Sequence, residues 1–170
     1  SFKERQDVPS LYPNHGDHII QGRYGNSIRF GGHSGTYNDI TTEENNNFPF
    51  TLISNGKFPS YNKSLHTYES INGDASSIFL TSDHKVDITQ ARTKNESAKK
   101  KATIASEYKG AQIILNSNRL IFNSKLDDIL LSSRRSITAT GLDINLDGKD
   151  YIGLDAEKIY LGKAPKNKEM

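Results

Sequence analysis

The chain has 170 residues, only 34% of them hydrophobic, with no Trp and no Cys. So little apolar material is poor for a self-sufficient compact core, and the lack of Cys excludes disulfides and thiolate metal sites. The formal net charge of +2 gives no case for a nucleic-acid partner, which a clustered basic face would advertise. The sequence contains no apolar run long enough to span a bilayer and no signal-peptide pattern.

The chain starts at Ser1 rather than Met and ends in KAPKNKEM without a structural stop. Processing explains the start as well as an excerpt does; the tail favours an excerpt of a longer protein. Residues 1–32 hold a Pro-bearing lead and then GDHIIQGRYGNSIRFGG, where Ile19, Ile20, Tyr24, Ile28 and Phe30 fall between glycines at 16, 22, 25, 31 and 32. Such segments predict short strands joined by tight turns. Residues 33–75 are mostly polar and predict a long excursion with one or two strands, FTLIS among them.

From SSIFLTSDHKVDITQ onward one short word recurs. Its apolar pairs are Ile78/Leu80 and Val86/Ile88, then Ile113/Leu115, Leu120/Phe122, Ile129/Leu131, Ile137/Ala139, Ile144/Leu146, Ile152/Leu154 and Ile159/Leu161. The words recur about every eight residues. Apolar residues at i and i+2 predict a strand with both side chains on one face, and Asn116, Ser117, Ser132, Ser133, Gly141, Asp147 and Gly148 between words suit turns. The series is interrupted at about 91–111 by an insert carrying Lys99, Lys100 and Lys101. Its sparse apolar positions predict a solvated loop; an anion-binding arm is the rival. The chain thus divides into a Gly-rich β region with long polar loops over 1–75, the repeats over 76–163 and a tail over 164–170.

A single meander of this kind is a ribbon whose apolar face would stay wet, although burying each Ile or Leu is worth roughly 1.5–3 kcal/mol. Its edges would also be open to pairing. Either the chain coils on itself as a β-helix, or identical ribbons wrap a common axis with their Ile/Leu faces inside. One chain yields only two to three coils from 113–161, which is short and needs caps. The expected fold is therefore all-β: an intertwined homotrimeric triple-stranded β-helix or β-prism of about eight-residue repeats, preceded by a small Gly-rich β region.

Four segments carry a resemblance to a known family: GDHIIQGRYGNSIRFG (16–31), SSIFLTSDHKVDI (76–88), QIILNSNRLIFNSKLDDILLSS (112–133) and YIGLDAEKIYLGK (151–163). Together they resemble the baseplate hub and central-spike, cell-puncturing proteins of contractile-tailed bacteriophages. The Gly-rich string is the more specific part, since many trimeric fibrous proteins share an I-x-L ladder. The resemblance implies a homotrimeric spike at the tail tip, located in the virion at the tail baseplate, with hub and tube proteins as neighbours. It would be pushed through the host outer membrane when the sheath contracts. In that family an oligonucleotide/oligosaccharide-binding-like barrel often precedes the spike; here the Gly-rich string would follow it or replace part of it. Some members carry an inserted lysozyme domain, but no Glu in this chain has the matching Asp and Thr spacing, and glycosidase chemistry needs two carboxyls held across the bond.

No constellation points to catalysis, a cofactor or a metal. Asp143, Asn145 and Asp147 before Gly148 resemble half a calcium loop, but the twelfth position, where a bidentate Glu belongs, is Leu154. With Ile144 and Leu146 inward, alternation alone turns those polar residues outward. His15 and His18 flank Gly16 and Asp17 but fall short of a ligand set, and His33, His66 and His84 are scattered singly and read as surface imidazoles. GRYGNSIRFGG lacks the Lys-Ser/Thr ending and the following helix of a phosphate loop; Arg23 and Arg29 are expected in salt bridges or hydrogen bonds between chains. The expectation is a non-enzymatic structural protein. The alternatives are a glycan-binding or glycan-degrading tail protein, for which Tyr24, Tyr37, Tyr61, Tyr68, Tyr108, Tyr151 and Tyr160 are too dispersed to make a case, or the spike of a related contractile secretion system.

Overall fold

The computed structural model describes residues 9–32, 40–41, 48–56, 66–91 and 103–159. Among these residues the secondary structure is all β, with no helix. Nine strands follow in order: β1 (Ser10–Leu11), β2 (His18–Gln21), β3 (Ser27–Gly31), β4 (Ile40–Thr41), β5 (Phe50–Asn55), β6 (His66–Thr67), β7 (Ser76–Thr81), β8 (Lys85–Val86) and β9 (Gln112–Ser117). The chain falls into two compact units, one formed by 1–89 with 103–129 and the other by 90–102 with 130–170.

The first unit is built on a five-stranded antiparallel meander in the order β2-β3-β5-β7-β9. The repeat words at 76–81 and 112–117 therefore pair in one sheet with strands from the Gly-rich region. Each long connection between neighbouring strands contributes one two-residue strand. β4 pairs antiparallel with β8, and β6 pairs parallel with β1. The Gln21 side chain ties β1 to the sheet edge, accepting from the Leu11 N–H at 2.8 Å and donating to the Pro9 carbonyl at 3.2 Å.

The Gly-rich string forms the β2–β3 hairpin. Gly25 sits at φ 85°, a left-handed conformation that a Cβ disfavours. Gly31 is needed for a different reason: a Cβ there would lie 2.6 Å from the Phe50 ring and 2.7 Å from Asp17 Oδ1.

Register places the strand residues in rows across the sheet. One row, Ile19–Arg29–Leu52–Phe79–Ile114, lies on the inner face. Two segments cover that face. Phe50, Leu52 and Phe79 pack with Ile71 from the β6–β7 connection and Val86 from β8, with Ile88 and Ile114 alongside. Asn72 holds the two covering segments together, donating to the Asp87 carbonyl at 2.6 Å and accepting from the Thr89 N–H at 2.7 Å. Asn116 of β9 donates to the Ile71 carbonyl.

The two words before the insert thus take different places. Val86 is fully buried and Ile88 half-buried against the inner core, whereas Ile78 and Leu80 point to the opposite face. In SSIFLT the middle residue Phe79, rather than the Ile78/Leu80 pair, enters the core. β7 carries apolar side chains on both faces, and the Phe79 ring, between Ser77 and Thr81, fills the side that has cover.

Beyond β9 no residue from 118 to 159 forms a strand within the chain, and every residue from 117 to 159 is exposed. The strands expected from the later words are absent there because a strand needs a partner for its backbone groups, and the described residues offer none. Within this stretch the turns are local: Ser124 Oγ accepts from the Asp127 N–H at 3.2 Å, and Ser133 Oγ accepts from the N–H groups of Arg135 and Ser136.

Candidate interaction surface

Beneath the inner face lies a buried charge cluster. Arg29 of β3 is 0% exposed. Its Nε donates to both Glu69 carboxylate oxygens at 3.0 and 2.9 Å, its Nη1 donates to Asp17 Oδ2, and its Nη2 donates to the Tyr12 carbonyl at 3.0 Å. Burial works to lower the Arg29 pKa, but hydrogen bonds and charge from Glu69 and then Asp17 overcome it and hold the group above its ordinary value. The cation is fixed, and its role is to join the turn before β2, β3 and the strand-like segment after β6. The expectation that Arg29 serves contacts between chains is corrected: its partners lie within its own chain, because alternation in β3 turns it inward with Ser27.

His84 is a second buried polar group, at 1% exposure, which corrects the expectation of a surface imidazole. Its ring meets Phe50 and Phe48 edge-on, with centroids 5.4 and 6.3 Å away. Neither ring nitrogen has a hydrogen-bond partner among the described residues. Desolvation lowers its pKa, with the Asp83 charge pulling weakly the other way. Because the folded state binds the His84 proton less readily than the unfolded chain, stability decreases as the pH falls from the ordinary histidine value toward the lowered folded one. Unfolding followed at pH 7.5 and 5.0 is expected to show a smaller drop for His84→Phe than for the unaltered protein. An equal drop in both would mean that His84 does not carry the effect.

The remaining histidines are not gathered. His18 lies against Phe30 with ring centroids 6.3 Å apart, and His66 packs edge-on against Tyr12 at 5.6 Å. His33 and Lys99–Lys101 lie outside the described residues. Among the described residues no three His, Asp or Glu side chains converge as a metal would require. Asp143, Asn145 and Asp147 are all exposed.

The distinctive surface is the outer face of the sheet. One outward row is Ile20–Ile28–Ile53–Ile78–Leu115, and the next is His18–Phe30–Thr51–Leu80–Ile113. No Asp, Glu, Lys or Arg stands at any outward position of the five strands. The sheet thus carries apolar side chains on both faces, with the one arginine of its strands turned to the inner side. Ile20 and Ile113 toward its edges remain 55% and 74% exposed, while Ile28, Ile53 and Ile78 in the middle of the row are half-buried. A shallow groove lined by Phe50, Thr51, Leu80, Thr81, Gln112 and Ile113 opens at its end. Contiguous exposed apolar patches are typical of interaction surfaces, and this face is the candidate here.

Continuing from β9, the ladder residues Leu120, Phe122, Ile129, Leu131, Ile137, Ile144, Leu146, Ile152, Leu154 and Ile159 are all exposed. The surface can bury apolar area and supply unpaired backbone groups; its outward rows have no charge with which to bind an ion. The spacing announced the ladder, but the outward rows were missed because Ile20, Ile28 and Ile53 lie outside the repeat. Their signal was alternation in β3 and β5 opposite the charged Arg29.

No protein-family model, no curated protein and no solved structure matches the chain.

Proposed function

We propose that the chain is a structural module of a homotrimeric spike, of the baseplate hub and central-spike type found in contractile-tailed bacteriophages. The observation that carries this reading is the ladder over 120–159: its apolar pairs recur at strand spacing, yet they are exposed and without strand partners among the described residues. Three copies wrapped about one axis supply both missing elements. The Ile/Leu faces close on one another inside, and each ribbon's backbone pairs with its neighbours'. The resulting prism is a dry, interlocked rod with Ser, Asn, Asp and Lys outside.

Its mechanism is mechanical rather than chemical. A triple-stranded prism transmits axial force along covalent chains that cannot slide past one another without wetting the whole stripe. This suits a part driven through a host envelope on tail contraction. Neighbouring hub and tube proteins would hold the ends. The resemblance of 16–31, 76–88, 112–133 and 151–163 to that family supports the placement in a virion tail.

Sedimentation or native mass measurement of the purified chain tests the reading. The expected species has three times the 19.0 kDa chain mass; a stable monomer at micromolar concentration overturns it.

A further inference from the structure

We propose that His84 is an acid-operated latch: protonation of its buried imidazole releases the covering segment 82–89 from the inner face of the sheet while the sheet itself stays paired. The device is internal to one chain and stands apart from the trimeric reading.

The segment turns alternate residues inward, His84, Val86 and Ile88. Val86 and Ile88 are ordinary apolar cover, but the first inward place holds a group that can take up a proton. At 1% exposure the His84 ring lies against Phe48 and Phe50, and neither Nδ1 nor Nε2 has a hydrogen-bond partner among the described residues. A neutral imidazole carries one donor and one acceptor; an imidazolium carries two donors and a charge. Phenyl rings present no lone pair to accept either donor, so the closed segment has nothing with which to satisfy the charged form. The remaining neighbours do not change this. Gln112 of β9 is uncharged, and its Nε2 donates to the His84 carbonyl at 2.9 Å and the Ala105 carbonyl at 3.2 Å. Asp83 and Lys85 flank His84 in the chain; the Asp83 charge favours the proton, but less than burial opposes it. In the open segment both ring nitrogens reach water. Protons therefore bind the open state in preference, and that difference shifts the equilibrium.

The contacts that keep the segment closed are local. β8 is a two-residue strand paired with the two residues of β4. The Val86 N–H donates to the Ala105 carbonyl at 3.2 Å, Ser82 Oγ donates to the Pro49 carbonyl at 2.8 Å, and Asn72 bridges Asp87 and Thr89. The strands β3, β5, β7 and β9, by contrast, are joined by ladders of five or six residue pairs. Opening breaks the first set and not the second, so the segment can leave before the sheet unfolds.

Hydrogen exchange of the full chain at pH 7.5 and 5.0, corrected for the intrinsic rate at each pH, tests this with peptides covering 82–89 and 18–31. The opening equilibrium of 82–89 is expected to rise at least about fivefold at pH 5.0, toward a ceiling of about thirtyfold for an open-state imidazole of ordinary pKa, while the β2–β3 hairpin changes by less than about twofold. His84→Phe should abolish the rise in 82–89, and His84→Met gives the same reading should the phenyl ring not fit. An equal rise in both regions overturns the inference, because acid would then loosen the whole body. A rise that persists without the imidazole overturns it too, as does the absence of such a rise in the unaltered protein.

Discussion

Ile129→Asp is expected to leave the chain a 19.0 kDa monomer under conditions where the unaltered protein is a trimer. In the proposed prism, Ile129 of each copy faces the axis, so one substitution brings three carboxylates into a dry interior. Each would cost several kcal/mol to desolvate, and like charges add repulsion instead of relief. The loss of three buried Ile side chains removes roughly 1.5–3 kcal/mol per chain besides. The isolated chain tolerates the change, since Ile129 is 54% exposed there; the effect should therefore fall on mass and not on the body's fold. The neighbouring residue is the control. Leu130 is 88% exposed and out of phase with the ladder, so Leu130→Asp should assemble normally. Intact trimers from Ile129→Asp would show that Ile129 does not point inward.

Arg29→Met is the second large effect, and it falls on the body. It leaves the Asp17 and Glu69 carboxylates buried, with 0% side-chain exposure, and without their cation. Removing one partner of a buried ion pair costs about 3–5 kcal/mol, which lowers the unfolding midpoint by on the order of 10 °C in a domain of this size. Arg29→Lys should lie between, because an ammonium keeps the charge but cannot span Glu69, Asp17 and the Tyr12 carbonyl together. The triple variant Arg29→Met, Asp17→Asn, Glu69→Gln should recover much of the loss, since no charge then remains to be desolvated. If the triple variant is no more stable than Arg29→Met alone, the cost lies in packing around the guanidinium rather than in the stranded carboxylates.

The β2–β3 hairpin was legible because glycines punctuate alternating residues, and β5 because FTLIS is a short β-rich run between polar stretches. Which face each strand turns inward was not. In β3 the choice lay between Ile28/Phe30 and Ser27/Arg29, and hydrophobicity alone selects the wrong pair. Arg29 is buried because Asp17 and Glu69, 12 and 40 residues away, meet it there, and no local pattern reveals such distant partners. The Val86/Ile88 word has the ladder's spacing but serves as cover for Phe79, so periodicity marked its apolar character and not its place. His84 gave no signal, since a lone histidine between Asp83 and Lys85 reads as loop; the aromatic walls that bury it come from 36 and 34 residues earlier, at Phe48 and Phe50. For the ladder, spacing revealed a stripe, and its words from 120 to 159 are exposed among the described residues.

The order of the strands also governs how the molecule comes into being. Neighbours in the sheet follow one another along the chain, from His18 to Ser117, so a nascent chain can add each strand to the last as it leaves the ribosome. The inner cover at 84–89 emerges before the closing strand β9, and the ladder emerges only after every strand of the body is available. A chain built in this sequence can fold its own core before the exposed words after β9 are made. In the proposed trimer the long apolar stripe, the part most prone to wrong pairing with other nascent chains, would then be released last, and joining of copies would follow folding of the body.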